Sequence, residues 1–263
     1  MNKEIRLFDD IQILSRGVYL QVGFELKLLD DTIIRSNEPE EVLSYTYEEL
    51  GDRFIIPWRK FKGKLRRLVM EQQRYFGIAT DCSLKDNLCL SCPACLLFGG
   101  TGETSKAKVN YNLLSRVLGE TLISEDEVKD IKSYTANAVD EINLSTGQAL
   151  MNILTVPAET KFIGIVTLRD PTPELTAILI DNLKRLNRIG ASTREWGKCR
   201  VSIVGYNLHD RENISVYEIA KNGWPKDIFD KDIAKLNLPT DIEQCYRKVN
   251  EQFQRVIKEY LEK

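Results

Sequence analysis

The 263-residue chain predicts an α+β fold built on a ferredoxin-like, or RRM-like, sheet. Two stretches lead there. Residues 18–29 alternate, with Leu20, Val22, Phe24, Leu26 and Leu28 on one side and Gln21, Gly23, Glu25 and Lys27 on the other, as in a half-buried strand. Further on, a strand–helix–strand unit occupies roughly 45 residues, a common βαβ length.

The elements follow in order. Residues 32–52 are polar and acidic, contain Pro39, and read as a loop with a short helix. After Ile55-Ile56-Pro57, Leu65, Leu68, Val69, Gln72 and Phe76 recur at helical spacing, and Gly77 supplies a stop. This strand and helix would form the first half of the sheet, its second strand lying beyond the segment that follows. Residues 77–110 read as an insertion holding four cysteines and Phe98-Gly99-Gly100-Thr101-Gly102. Residues 111–160 carry few strong patterns, and Ser124-Glu125-Asp126-Glu127 reads as a helix start, its carboxylates favouring the positive end of the dipole.

Regularity returns with a buried strand at Phe162–Leu168. Thr172 can cap a helix with Pro173 at its first position, and Leu175, Ile178, Leu179, Leu183 and Leu186 form the apolar face up to Gly190. Cys199–Val204 is the closing strand. Thr240-Asp241-Ile242-Glu243 reads as a capping box opening a last helix, whose apolar stripe runs from Ile242 through Tyr246, Val249, Phe253 and Val256 to Tyr260. That stripe is too short for a coiled coil and is expected to pack on its own domain.

Composition narrows the function classes. With 43% hydrophobic and 29% charged residues the chain buries a core, which excludes low-complexity disorder. Net charge is −2, so a nucleic-acid role must rest on local clusters. A single histidine, His209, weakens a Ser-His-Asp triad or an imidazole-rich metal site; following a strand, it reads as an exposed loop residue. No apolar run spans a membrane, and Met1-Asn2-Lys3-Glu4-Ile5-Arg6 has no apolar leader, so a cytoplasmic location is expected.

Three motifs carry chemistry. Cys89-x-x-Cys92-x-x-Cys95, with Cys82 upstream, offers four soft ligands for a structural Zn2+ ion; an iron–sulfur cluster is the alternative, and inert buried thiols the bland one. The stretch Trp58–Arg67 has six cations in ten positions: Arg59, Lys60, Lys62, Lys64, Arg66 and Arg67. Cations at a helix N-terminus oppose its dipole unless an anion sits there, which points to phosphate rather than a plain solvated face. A third segment, Gly190 to Lys198, offers Ser192, Thr193, Arg194 and Lys198 to a phosphate, an ordinary turn being the alternative. Lys106 is a further candidate RNA contact; the Gly-rich segment it closes lacks the ending of a nucleotide-binding P-loop, which excludes nucleotide hydrolysis.

Together these pieces resemble a known family. Pro57 through Arg66 is similar to the P-x-x-x-x-K-G-x-x-R helix start of RAMP-superfamily CRISPR proteins, and Cys95-Leu96-Leu97-Phe98-Gly99 to the C-x-x-F-G of their backbone subunits. Val166–Thr172 and Ser192-Thr193-Arg194 before Gly197-Lys198 most resemble the subtype I-D member, which carries a zinc insertion. The resemblance covers most of residues 15–206. It implies a palm at 1–76 and 161–263, a metal-binding insertion at 77–110 and a thumb- or finger-like insertion at 111–160. It implies copies stacked along a CRISPR RNA beside other effector subunits, the guide pairing with target DNA or RNA. No catalytic residue is assigned. Type III relatives cut target RNA with a loop aspartate before the basic helix. Asp30, Asp31 and Asp52 lie in that area without aligning to it, and a metal-dependent nuclease on the same scaffold is the alternative function. A metal protein unrelated to CRISPR, such as a transcription-associated module, is the third reading.

Overall fold

A computed structural model describes residues 5–35, 43–85, 87–103, 108–140, 145–225, 229 and 232–261, with backbone alone for 135–140 and 145–152. It is a mixed α+β structure around a seven-stranded antiparallel sheet.

The elements are β1 (Tyr19–Leu28), β2 (Ser44–Tyr47), β3 (Gly51–Ile56), α1 (Trp58–Tyr75), α2 (Pro93–Phe98), β4 (Val117–Gly119), β5 (Leu122–Glu127), β6 (Lys132–Asp140), β7 (Ser145–Thr155), β8 (Lys161–Arg169), α3 (Pro173–Arg185), β9 (Cys199–His209), α4 (Val216–Asn222), a 3-10 turn (Ile233–Leu236) and α5 (Ile242–Leu261). The strand order is β2-β3-β5-β8-β1-β9, with β4 also on β8; β6 and β7 form a separate two-stranded sheet. The central strands and helices thus run β1-α1-β5-β8-α3-β9, and β1 lies between β8 and β9.

β1 is central because both of its faces are covered. Leu20, Val22, Phe24, Leu26 and Leu28 are buried beneath the helices, Phe24 stacking on Phe61 of α1 at 5.2 Å. Opposite, Gln21 and Gly23 are also buried, so the strand is more enclosed than its alternation predicts. A second apolar cluster of Ile123, Ile163, Ile165, Val216, Ile219 and Phe229, flanked by Trp224, accounts for this. Gln21 is satisfied there, donating to Ile214 O at 2.8 Å and accepting from Asn213 N at 3.1 Å.

Four local expectations are corrected. Ser124–Glu127 is not a helix start: Leu122 and Ile123 are buried in β5, and the acidic residues follow on the same strand. Phe54 N donates to Ser124 Oγ at 3.1 Å, so this serine serves the sheet rather than a cap. Of residues 32–52, read as a loop with a short helix, 44–52 instead belong to the β2–β3 hairpin at the sheet edge, and 36–42 lie outside the described residues. α3 is capped as expected, Thr172 Oγ1 accepting from Leu175 N at 3.2 Å, yet ends at Arg185 rather than Gly190. There Cys199 N donates to Asn187 O at 2.9 Å and Ile189 N to Gly197 O at 2.9 Å, drawing 187–189 into pairing with 197–199. In α5 the cap is Asp241, which accepts from Gln244 N at 3.0 Å, while Glu243 pairs with Arg247 one turn on.

α5 packs on its own domain. Cys245, Tyr246, Val249 and Phe253 are buried, and Lys248 pairs with Glu174 of α3. No helix among the described residues is long and apolar enough to cross a membrane.

Candidate nucleic-acid groove and metal centre

α1 begins without an acidic residue in its first turn and without a side-chain cap. Its free N–H groups and cations therefore share one end. Arg59, Lys60, Lys64 and Arg67, with Gly63 between them, line one wall of a groove of about 440 Å³. The other wall is Ile189, Gly190, Ala191 and Thr193, and Ile33, Ile34, Arg35 and Ile56 complete the lining. The basic start of α1 thus meets the Gly190 loop, some 130 positions on in the chain, although the cations of that loop stay off the lining.

The loop is fixed by backbone contacts. Ala191 N donates to Ile33 O at 2.9 Å. Gly190 has a φ of +96°, and a Cβ there would stand 2.6 Å from Ile33 O, so a side chain would break the docking. Burial and the adjacent Arg59 push the Lys60 ammonium below its usual range, and its Nζ donates to Arg35 O. A cation held in this way gains most from an anion.

The remaining candidates separate. Ser192 and Arg194 are exposed in the same loop without lining the groove, and Lys198 is exposed just before β9. Lys62 and Arg66 are also off the groove lining. Burial and the nearby Arg66 push Lys62 below its usual range, and Arg66 Nη2 donates to Gly99 O at 2.9 Å. Lys106 lies outside the described residues. Arg35 lines the groove but escaped the motif reading, since it is a lone cation after two apolar residues.

None of the three aspartates lines the groove. Asp52 is exposed on β3, accepting from Thr46 Oγ1, and Asp30 is half-buried beside Thr32. Asp31 is buried and engaged: it accepts from Lys132 Nζ at 3.0 Å, Ala158 N at 2.8 Å and the Tyr134 hydroxyl. Burial would raise its carboxyl, but these bonds outweigh it and hold the group below its usual range. His209 is the last residue of β9, beside Asp210 at 2.6 Å.

The four insertion cysteines converge. All are free thiols, and their Sγ atoms lie within 4.8 Å of one another. Cys82 Sγ is 3.7 Å from Cys95 Sγ and 3.8 Å from Cys92 Sγ. A tetrahedral site with metal–sulfur bonds of about 2.3 Å has sulfur–sulfur edges of about 3.8 Å, so the set fits one ion. Hydrogen bonds from Cys82, Cys92 and Cys95 favour the thiolate of Cys89, whereas those shared with Cys82, Cys89 and Cys95 push Cys92 well up. A bound cation would remove this conflict and release protons. Cys82 is buried and central to the cluster, and so belongs with the other three. The centre sits against the main core: every residue of α2 is buried, and Arg74 Nη1 holds Cys82 O at 3.1 Å.

Residues 46–263 match the model of the Csc2 CRISPR family. The chain belongs to the Csc2 family. It is thus a RAMP-superfamily backbone subunit of a type I-D-like CRISPR effector complex. Its fold is similar to that in the crystal structure of Thermofilum pendens Csc2, with a TM-score of 0.60 and 18% identity over 92% of this chain and 82% of that one. A chain of a type IV-B CRISPR complex is similar with a TM-score of 0.50 and 15% identity, over 70% of this chain and 90% of that one. At these identities the likeness is one of fold. No curated protein matches the sequence. In this Csc2-family chain α1 lines the basic groove with its first turns and reaches the four-cysteine centre with Gln73 and Arg74 of its last turn.

Proposed function

We propose that this backbone subunit holds a CRISPR guide RNA by its phosphates, in the groove between α1 and the 189–193 loop. The observation that carries this is the meeting of Arg59, Lys60, Lys64 and Arg67 with Gly190, Ala191 and Thr193 across one groove. Backbone N–H groups at the uncapped start of α1 and four cations suit an extended polyanion, and nothing in the set reads base identity. The sheet face opposite the helices is partly covered by α4, Trp224 and Phe229, which favours the groove over that face for RNA.

On this reading the β1-α1-β5-β8-α3-β9 core is a ferredoxin-like palm and the β6–β7 hairpin a thumb-like extension. The cysteine segment is a zinc insertion. Zn2+ is preferred to an iron–sulfur cluster because Cys82 Sγ lies 3.7–3.8 Å from both Cys95 Sγ and Cys92 Sγ, as three sulfurs on one ion do, whereas a cluster spreads its four thiolates over two or four irons. Several copies line up along one guide beside other effector subunits, with target DNA or RNA paired to the guide, in the cytoplasm. The likeness to a chain of a type IV-B CRISPR complex supports an assembled role. The role proposed is binding rather than cleavage, because none of Asp30, Asp31 and Asp52 lines the groove and Asp31 is committed to the hairpin foot.

The test is the nucleic acid that accompanies the protein purified from its host. RNA of defined length supports the proposal; protein free of RNA, or carrying random fragments, contradicts it.

A further inference from the structure

We propose that Gln73 of α1 is a positioning residue for the metal centre, donating its side-chain amide to the Cys92 sulfur and so coupling metal binding to the helix that lines the basic groove. The inference rests on reading the four cysteines as a single-ion site.

Gln73 is fully buried, at 0% exposure, on the last turn of α1. An amide buried among apolar residues needs partners for both its ends. Its Oε1 accepts from Ala94 N at 3.2 Å, and its Nε2 lies 3.4 Å from Cys92 Sγ. The orientation is decided by chemistry, because a backbone N–H can only donate. The oxygen must face Ala94, and the NH2 group must then face the sulfur.

A dication held by four thiolates carries a net charge of −2, and N–H donors to sulfur lower its cost. Cys89 N, 3.5 Å from Cys82 Sγ, is one such donor from within the loop. Gln73 comes from outside it. Two other α1 side chains reach the same segment, Arg74 to Cys82 O and Arg66 to Gly99 O. They hold its backbone, whereas Gln73 alone among the three touches a candidate ligand atom. Partners of this kind set ligand orientation, and losing one commonly weakens metal binding by about 10–100-fold.

The experiment uses the full chain, stripped of metal and titrated with Co2+ against a competing chelator. Gln73→Met keeps volume but cannot donate. Gln73→Glu keeps an acceptor for Ala94 N but sets an anion against the sulfur. Co2+ affinity should fall about 10–100-fold in the Met variant and further in the Glu variant. The thiolate-to-cobalt absorption should move to longer wavelength in the Met variant, because a sulfur relieved of its hydrogen bond is richer in electrons; simple loosening of the fold would not shift that band. Should the Met variant fail to fold, the Glu variant carries the affinity test. Wild-type affinity and band position in the folded variants would overturn the role of Gln73 alone. A wild-type chain that takes up no Co2+ on its thiolates would overturn the single-ion reading beneath it as well.

Discussion

Asp31 and Lys132, 101 residues apart in sequence, are joined by a 3.0 Å ion pair between the end of β1 and the foot of the β6–β7 hairpin. Tyr134 adds its hydroxyl to the same carboxylate and lays its ring against Trp196, 4.8 Å away. The hairpin is thereby anchored to the loop that also forms the groove wall.

Replacing Asp31 by Ala should leave the Ala158 N–H without its acceptor, which costs about 1–3 kcal/mol. The hairpin foot should become more open to limited proteolysis and amide exchange while β1 stays protected. Unchanged exchange at 130–134 and 154–158 would contradict the anchor.

The same carboxylate predicts a pH dependence. Its folded-state pKa lies below its unfolded value, so its contribution is complete above the ordinary carboxylate range near about 4 and is lost as pH falls through the folded value. Wild type and Asp31→Asn should differ in stability at neutral pH and converge in acid. A constant difference down to pH of about 2, measured by urea unfolding, would contradict this sign.

Removing the metal should reach beyond its loop, because α2 is buried in the main core. Cys92→Ser should lower zinc content below one ion per chain. Stripping the wild type with a strong chelator should lower Tm by an amount on the order of 10 °C, since the metal's binding energy is folding energy for the segment it closes. Atomic emission and a thermal melt check both. A chelator-insensitive melt would remove the metal from the stability account.

In the groove, changing Lys60, Lys64 and Arg67 together to Ala should weaken single-stranded RNA binding about equally for all sequences. The slope of affinity against salt should fall by roughly 2, at about 0.7 per phosphate contact. Lys62→Ala, off the lining, should change the slope little. Filter binding across a salt series distinguishes them when Lys64→Ala is measured beside Lys62→Ala, and equal effects from the two single variants would contradict the groove.

Tyr246 ties three helices together: its hydroxyl meets Asn182 Nδ2 of α3 at 3.1 Å, and Val69 O and Gln72 Oε1 of α1 at 3.2 and 3.1 Å. Burial pushes this phenol far above its usual range, so it stays neutral throughout. Tyr246→Phe should cost about 1 kcal/mol, read as a lower urea midpoint at unchanged slope.

The legible parts of the fold were those with strong local signals. β1, α1, β8 and α3 announce themselves because each buries a full face, β9 by the alternation of Cys199, Val201 and Ile203 with exposed Arg200 and Ser202, and the cysteines by their spacing. β5 was hidden because its buried pair, Leu122-Ile123, runs into Ser124–Glu127, which mimics a helix start. The β2–β3 hairpin was hidden because an edge strand needs no apolar face; Ser44, Tyr45 and Thr46 are all exposed. The cap of α5 slipped by one residue because Thr240 and Asp241 are both good caps, and only the backbone chooses between them. The four-cysteine cluster that could hold a metal was legible from its spacing, whereas its link to Gln73 was not, since a glutamine on an apolar helix face carries no signal of its own. The groove was legible as two separate motifs; that Ile33 O holds the Gly190 loop against α1 is a tertiary fact.

The central claim, that this subunit lines up along a guide RNA, is tested most directly by electron microscopy of the protein assembled on guides of two lengths. Head-to-tail contacts between copies do not close, so the particle should lengthen with the RNA and gain subunits in whole steps. Particles of the same length on both guides, or beads without order, would contradict it.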